Sequence, residues 1–260
     1  MNITILTDNT ADEGFEAEHG LSYLIEIDGE SILFDTGHSD IFLRNALKLK
    51  KDILNGVQKV VLSHGHGDHG NGLFHLNDKT LLTHPGAFIK RYRKKDHSPI
   101  GVAIDEEKLQ QKFKIITSAK PIQLTQNLWF LGEIPRQTDF ESKRTDFFLS
   151  NGEEDFIVDD SALVAIINNE IVVISGCAHS GICNICEHAK KVSGISKIKA
   201  VIGGFHLKDA GEQTQKTSEY FSDNKIELLF PAHCTQAPAK DYFRQHFQFP
   251  DVKTGMILEF

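Results

Sequence analysis

Val57-Gln58-Lys59-Val60-Val61-Leu62-Ser63-His64-Gly65-His66-Gly67-Asp68-His69-Gly70 runs from an apolar stretch directly into three histidines and a carboxylate. The apolar half reads as a buried strand, and the interleaved glycines permit a tight loop that turns several rings inward together. Neutral imidazoles suit Zn²⁺, Fe²⁺ or Mn²⁺, and a carboxylate adds a hard anionic donor. His64 and His66 stand two apart, while Asp68 and His69 are adjacent. That spacing fits two sub-sites on a strand-end loop, since a single helical face would want donors four apart. The bland alternative is a His-rich surface loop, and the position behind a buried strand argues against it.

Other apolar runs end in the same way. Ile32-Leu33-Phe34-Asp35-Thr36-Gly37 precedes the histidine loop. Val172-Val173-Ile174-Ser175-Gly176-Cys177-Ala178-His179 and Leu229-Phe230-Pro231-Ala232-His233 follow it. In this order the motifs resemble the metallo-β-lactamase superfamily, with His64-x-His66-x-Asp68-His69 as its metal-binding signature. Glu18-His19-Gly20-Leu21-Ser22, Gly203-Gly204-Phe205-His206-Leu207 and His233-Cys234-Thr235 resemble, more narrowly, the dihydropterin-ribofuranosylaminobenzene phosphate synthase-like subgroup. The resemblance implies an α/β chain in a four-layer αββα sandwich, with residues 1–260 as one domain built of two similar halves.

It also implies a ligand set. His64, His66 and His179 would hold one metal, and Asp68, His69 and His233 a second. Zn²⁺, two per chain, is the expected cofactor, with Fe or Mn as alternatives and single occupancy left open. Cys177 stands where the family usually has a bridging Asp; it is either a thiolate ligand, which would favour zinc, or a small residue packed beneath the loop. The strand end that usually supplies a further histidine offers Glu133, expected as an oxygen ligand or in support of the ligands. Asp35 is expected to orient the histidine loop, and Asp68 to hold the nucleophile or shuttle its proton. His206 is a candidate donor to a developing oxyanion. His84, before Pro85, reads as structural, and Asp8 and His19 are candidates for the cleft rim. Cys183 and Cys186 form a CxxC without a second pair, and read as packing residues on a helix at 182–192.

Composition narrows the function. A formal charge of −8 argues against a nucleic-acid surface. No apolar run approaches the ~20 residues that span a bilayer, and no membrane role is expected. Four cysteines without a secretion signal suggest reduced thiols in the cytoplasm. Most of the local positive charge falls in residues 88–98, read either as a solvated helix-and-loop surface or as part of a lid over 88–110. In the lid reading, Arg91 and Arg93 attract an anionic substrate. A long polar loop is expected over 135–160, and a helix after Ser39 as N-cap. The expected activity is metal-dependent hydrolysis of a small anionic ester, phosphoester or amide. The alternatives are a phosphorylated pterin synthase-like transfer, an iron-dependent redox protein or a non-catalytic metal-binding module. Oligomeric state is left open.

Overall fold

Alternation along the strands sorts the apolar residues into three cores. Ile32 and Phe34 face one way and Leu33 the other; Val61 parts from Val60 and Leu62 in the same manner. A strand buried on both faces reads as a continuous apolar run because each face meets a different layer. A computed structural model describes residues 1–260 and shows what those layers are.

The first sheet contains β1 (Asn2–Thr7), β2 (Ser22–Ile27), β3 (Glu30–Phe34), β4 (Lys59–Val61) and β5 (Lys79–Thr83). The chain then forms a short β6 (Arg91–Arg93) and returns to the sheet as β7 (Phe113–Thr117). The second sheet is built from β8 (Ile122–Gln123) and β9 (Leu128–Phe130) and, after an outlying β10 (Phe147–Leu149), from β11 (Ala162–Ile167), β12 (Glu170–Ser175), β13 (Ile198–Gly204) and β14 (Leu228–Ala232). The last strand, β15 (Ile257–Glu259), closes the far edge of the first sheet beside β1. The orders are β15-β1-β2-β3-β4-β5-β7 and β14-β13-β12-β11-β9-β8.

Each sheet begins with antiparallel hairpins and ends in parallel strands joined through helices. Those hairpins turn at Asp28-Gly29 and Asn168-Asn169, whose positive φ angles suit the right-handed strand twist. Between the sheets, Ile3, Ile25 and Phe34 pack with Phe130, Leu163 and Ile174 in one core. Helices α1 (Ile41–Lys48), α2 (Ile53–Gly56), α3 (Gly67–Gly70) and α4 (Glu106–Lys112) belong to the first half of the chain. Residues of α1, α2 and α4 pack on the outer face of the first sheet. Helices α5 (Ile182–Ser193), α6 (Glu212–Asp223) and α7 (Ala237–Phe243) contribute to the core outside the second. This is the expected αββα sandwich. No helix is long and apolar enough to cross a membrane.

The charged segment at 88–98 departs from its helix-and-loop expectation. β6 pairs antiparallel with β10, so the lid and long-loop segments join each other in a two-stranded sheet. Gly67 N–H donates to Ile100 O at 2.8 Å and Val102 N–H to Gly65 O at 3.1 Å, tying the same segment to the histidine loop. Helix α1 begins one residue later than expected, with Asp40 at its cap position. Ser39 still accepts the Ile41 N–H on its hydroxyl at 3.3 Å, while donating that hydroxyl to Glu18 at 2.7 Å.

Candidate metal centre

The ends of β1, β3, β4, β12, β13 and β14 open onto one edge of the sandwich, where loops from an α/β sheet converge. Asp35, Ala178, His206 and His233, close to these ends, adopt left-handed φ angles of 57°, 55°, 51° and 46°. Such backbone costs of order 1 kcal/mol or more for a residue with a Cβ.

His64, His66 and His179 form the first cluster. Their ring centroids lie 4.6, 4.8 and 4.8 Å apart pairwise, and all three Nε2 atoms are buried with no hydrogen-bond partner. Three unsatisfied buried nitrogens at one point would be costly in a protein interior, yet they are a fitting donor set for a divalent cation. Burial lowers each imidazole well below its ordinary pKa, and the neighbouring imidazoles add to the effect, so the rings are neutral and their lone pairs free. The His64 tautomer follows from its partners. Ser63 donates its hydroxyl to Asp35 at 2.7 Å, so His64 Nδ1 must be the donor to Ser63 Oγ at 2.9 Å, leaving Nε2 bare.

The second cluster adjoins the first, with His69 only 4.3 Å from His64 by ring centroid. His69 Nε2 lies 3.2 Å from both Cys177 Sγ and His233 Nε2, and Asp68 Oδ2 lies 3.4 Å from His233 Nε2. Burial depresses the His69 pKa, but the Asp35 carboxylate, 2.7 Å from Nδ1, outweighs it and carries the ring to about 9. His233 goes the other way, to about 4, because burial dominates there. Burial likewise pushes the Cys177 thiol up. A cation among these donors would reverse that pressure and hold the sulfur as thiolate. Asp68, despite burial, is held well below the usual carboxylate range by its contact with His19 and by the charge of the neighbouring His69.

Of three neighbours of the second cluster, Cys234 and His19 stand in motifs the sequence offers, whereas Asn9 gives no local signal. Asn9 Oδ1 accepts from His233 Nδ1 at 2.9 Å while its amide donates to the His233 carbonyl at 3.0 Å, orienting the ring from 224 residues away. Cys234 directs its thiol to the Cys177 carbonyl at 3.4 Å and joins Cys177 and His233 in a further possible donor group. His19, an exposed ring stacked 4.9 Å from His233, reaches Asp68 at 3.2 Å and so lies at the rim. Asp8 does not: it is buried, and loss of solvent lifts its carboxyl to about 7.

Other expected residues divide. Asp35 accepts from Ser63 N–H and Ser63 Oγ–H and faces His69, bracing both clusters at once. His206 sits 4.3 Å from His179 and lines a cavity of about 570 Å³ beside the first cluster, with Phe147, Lys143, Arg144 and Lys208. Burial first, then the Lys208 charge, lowers it to about 4, so it meets a ligand as a neutral ring. Arg91 corrects the lid expectation: it is buried and paired with Asp155 at 3.2 Å and Asp159 at 2.8 Å, out of reach of a substrate. Arg93 is exposed, opposite Phe147 in the ladder, and Phe147 in turn packs 4.8 Å from His66. Glu133 also departs from expectation, since its carboxylate faces His84 Nε2 at 3.4 Å and belongs to neither cluster. His84 accepts from Gly86 N–H at 3.0 Å, a structural use. Cys183 and Cys186 are wholly buried in the core beneath α5.

Fold and clusters together give an αββα sandwich with His/Cys clusters at one sheet edge that could hold metal ions. The model of the metallo-beta-lactamase superfamily matches residues 16–84. An uncharacterized protein of Methanocaldococcus jannaschii is 35% identical over 98% of this chain and 99% of its own. A second protein of that organism, 7,8-dihydropterin-6-methyl-4-(beta-D-ribofuranosyl)-aminobenzene-5'-phosphate synthase, is 31% identical over 95% of this chain and 91% of its own. A crystal structure of a metal-dependent hydrolase of the beta-lactamase superfamily superposes with a TM-score of 0.89 at 33% identity, covering 100% of this chain and 99% of that one. The chain belongs to the metallo-β-lactamase superfamily.

Proposed function

We propose that this protein is a metal-dependent hydrolase of a small anionic substrate, working with two divalent ions, Zn²⁺ foremost. The observation that carries the reading is the convergence of three unpartnered buried imidazole nitrogens beside His69, Cys177, His233 and Asp68, linked by contacts of 3.2, 3.2 and 3.4 Å. The Cys177 sulfur favours zinc over magnesium or calcium in the second group. A divalent ion held by such donors supplies Lewis acidity and brings the pKa of a water toward ~7.

The protein's own residues supply the rest. Asp35 and Asn9 fix the tautomers of His69 and His233 so that Nε2 faces the site. Asp68 can receive a proton from an attacking water, with His19 as its hydrogen-bond donor 3.2 Å away at the rim. Neutral His206 can donate to a substrate oxygen in the cavity beside His179. Arg93, with Lys143 and Arg144, offers cations to an anionic substrate.

A second reading is group transfer to or from a phosphorylated aminobenzene, favoured by the relative named as a synthase. Both readings want an anion beside two metals. The test is metal content by mass spectrometry on protein purified without added metal, for wild type and Cys177→Ser, followed by a panel of chromogenic esters, phosphomonoesters and phosphodiesters. Two zinc ions falling to one in the variant, with turnover on the panel, support the hydrolase. Two ions without turnover on any member would give first place to group transfer. Iron in place of zinc would sink the zinc assignment.

A further inference from the structure

Asp159, Asp160 and Ser161 stand immediately before β11, at the end of a segment that reads in sequence as a polar excursion. All three are buried. Asp159 Oδ2 accepts the Gly65 N–H at 2.7 Å, between His64 and His66. Asp160 Oδ2 accepts the Ser180 N–H at 2.9 Å, next to His179. Ser161 N–H donates to the Ser63 carbonyl at 2.9 Å. One tripeptide therefore grips both loops that deliver the imidazoles of the first cluster.

We propose that Asp159 and Asp160 are positioning residues for the first metal, two adjacent carboxylates that each fix one histidine loop by a single backbone N–H. The chemistry suits the task. A charge-assisted hydrogen bond to a buried amide is stronger than a neutral one, and backbone is what must hold still if three rings are to meet. The anion needs a counter-charge in so dry a place, and Arg91 gives it to Asp159 while also donating to the Gly86 carbonyl at 3.1 Å. The loop itself has no slack, because a Cβ on Gly65 would lie 1.6 Å from the Ala87 carbonyl oxygen. Asp159 uses both oxygens, one for Arg91 and one for Gly65, whereas Asp160 has its Oδ1 unpartnered. The two positions should therefore respond differently to the same conservative change.

The inference rests on the metal reading, and the experiment separates the two. Cobalt(II) is titrated into chelator-stripped protein and followed by visible absorption, for wild type, Asp159→Asn, Asp160→Asn, Asp159→Ala and Asp160→Ala, with a thermal melt of each. The alanine variants are expected to lose roughly 10–100-fold in affinity for one ion while the other binds as in wild type. Asp160→Asn keeps the one acceptor it needs and should restore most of that loss. Asp159→Asn must give up either Arg91 or Gly65 and should restore less. Equal loss at both ions, or wild-type titrations in the alanine variants, would overturn the positioning role. Should an alanine variant fail to fold, the asparagine pair decides: equal behaviour of the two overturns the proposal, and a deficit confined to Asp159→Asn at one ion supports it. Failure of wild type to bind cobalt would overturn the metal reading itself.

Discussion

Arg91 and Arg93 differ by two positions and have opposite fates. In sequence they are equal members of a basic run, and charge alone reads as solvated. Arg91 is buried because Asp155 and Asp159, over sixty residues later, meet it from the other excursion, and no local pattern announces that pairing. Removing it leaves two buried carboxylates without their cation. Arg91→Ala should cost about 3–5 kcal/mol by urea denaturation, the range for breaking a buried pair, whereas Arg93→Ala should stay within about 0.5 kcal/mol. In steady-state kinetics the order reverses, with Arg93→Ala raising KM for an anionic substrate at unchanged metal content. An unchanged KM would remove Arg93 from the substrate path. Asn9→Ala tests a third kind of residue, one that touches only the back of a donor ring. It should weaken one bound ion roughly 10–100-fold, read by competition with a zinc indicator, because His233 loses the acceptor that fixes its tautomer. Equal affinity in the variant would mean that packing alone orients the ring.

Elements were legible where apolar period and turn chemistry agreed. The strand before His64 and the helix at Ile182–Ser193 lie where the pattern puts them, within a residue or two. Contiguity made the His64–His69 donors readable, because one loop carries them and one motif names them. The distant donors Cys177, His179 and His233 were readable only through strand ends and the family resemblance. β6 and β10 were not legible at all. Each is three residues long, carries charge or aromatic side chains, and exists because the other is there. Phe147 is the residue of this small sheet that touches the centre, lying T-shaped against His66 at 4.8 Å and His179 at 5.7 Å. Phe147→Ala should therefore leave both sandwich sheets intact while opening the first cluster to water. The expected readout is a faster loss of bound metal to a chelator with little change in the melting temperature. A melting temperature that falls steeply, with chelator kinetics unchanged, would make Phe147 a packing residue of the excursion and no part of the centre.

At the scale of the whole molecule, the donors are a debt carried by the fold. His64, His66, His179, His206 and His233 all have pKa values depressed by loss of solvent, the last two to about 4. The unfolded chain takes up protons on these rings around pH 6.5, and the native fold does so only at lower pH. Stability of the chelator-stripped protein should therefore fall on acidification from about 6.5 toward 4, by up to ~1.4 kcal/mol per pH unit for each such ring. Asp8 and Asp160, raised to about 7 and about 6 by burial, oppose this, because the native state holds their protons after the unfolded chain has released them. Glu141 and Asp155, also raised by burial, add to that opposition. These four carboxyls face five imidazoles, three of them carried well below their ordinary value, so the histidines set the sign. His69 acts above that window. Its Asp35 partner outweighs the burial penalty and keeps it protonated to about 9, so its contribution is complete below 6.5 and fades as pH rises through 9. Stability of the stripped protein should peak near pH 6.5–7 in urea melts between pH 4.5 and 9.5. Restoring zinc should steepen the acid limb, since protons then compete with the ion for the same lone pairs. A stripped protein whose stability is flat from pH 7 to 5 would mean that the imidazoles reach solvent freely, and that the closed clusters seen at the sheet edge do not persist in solution.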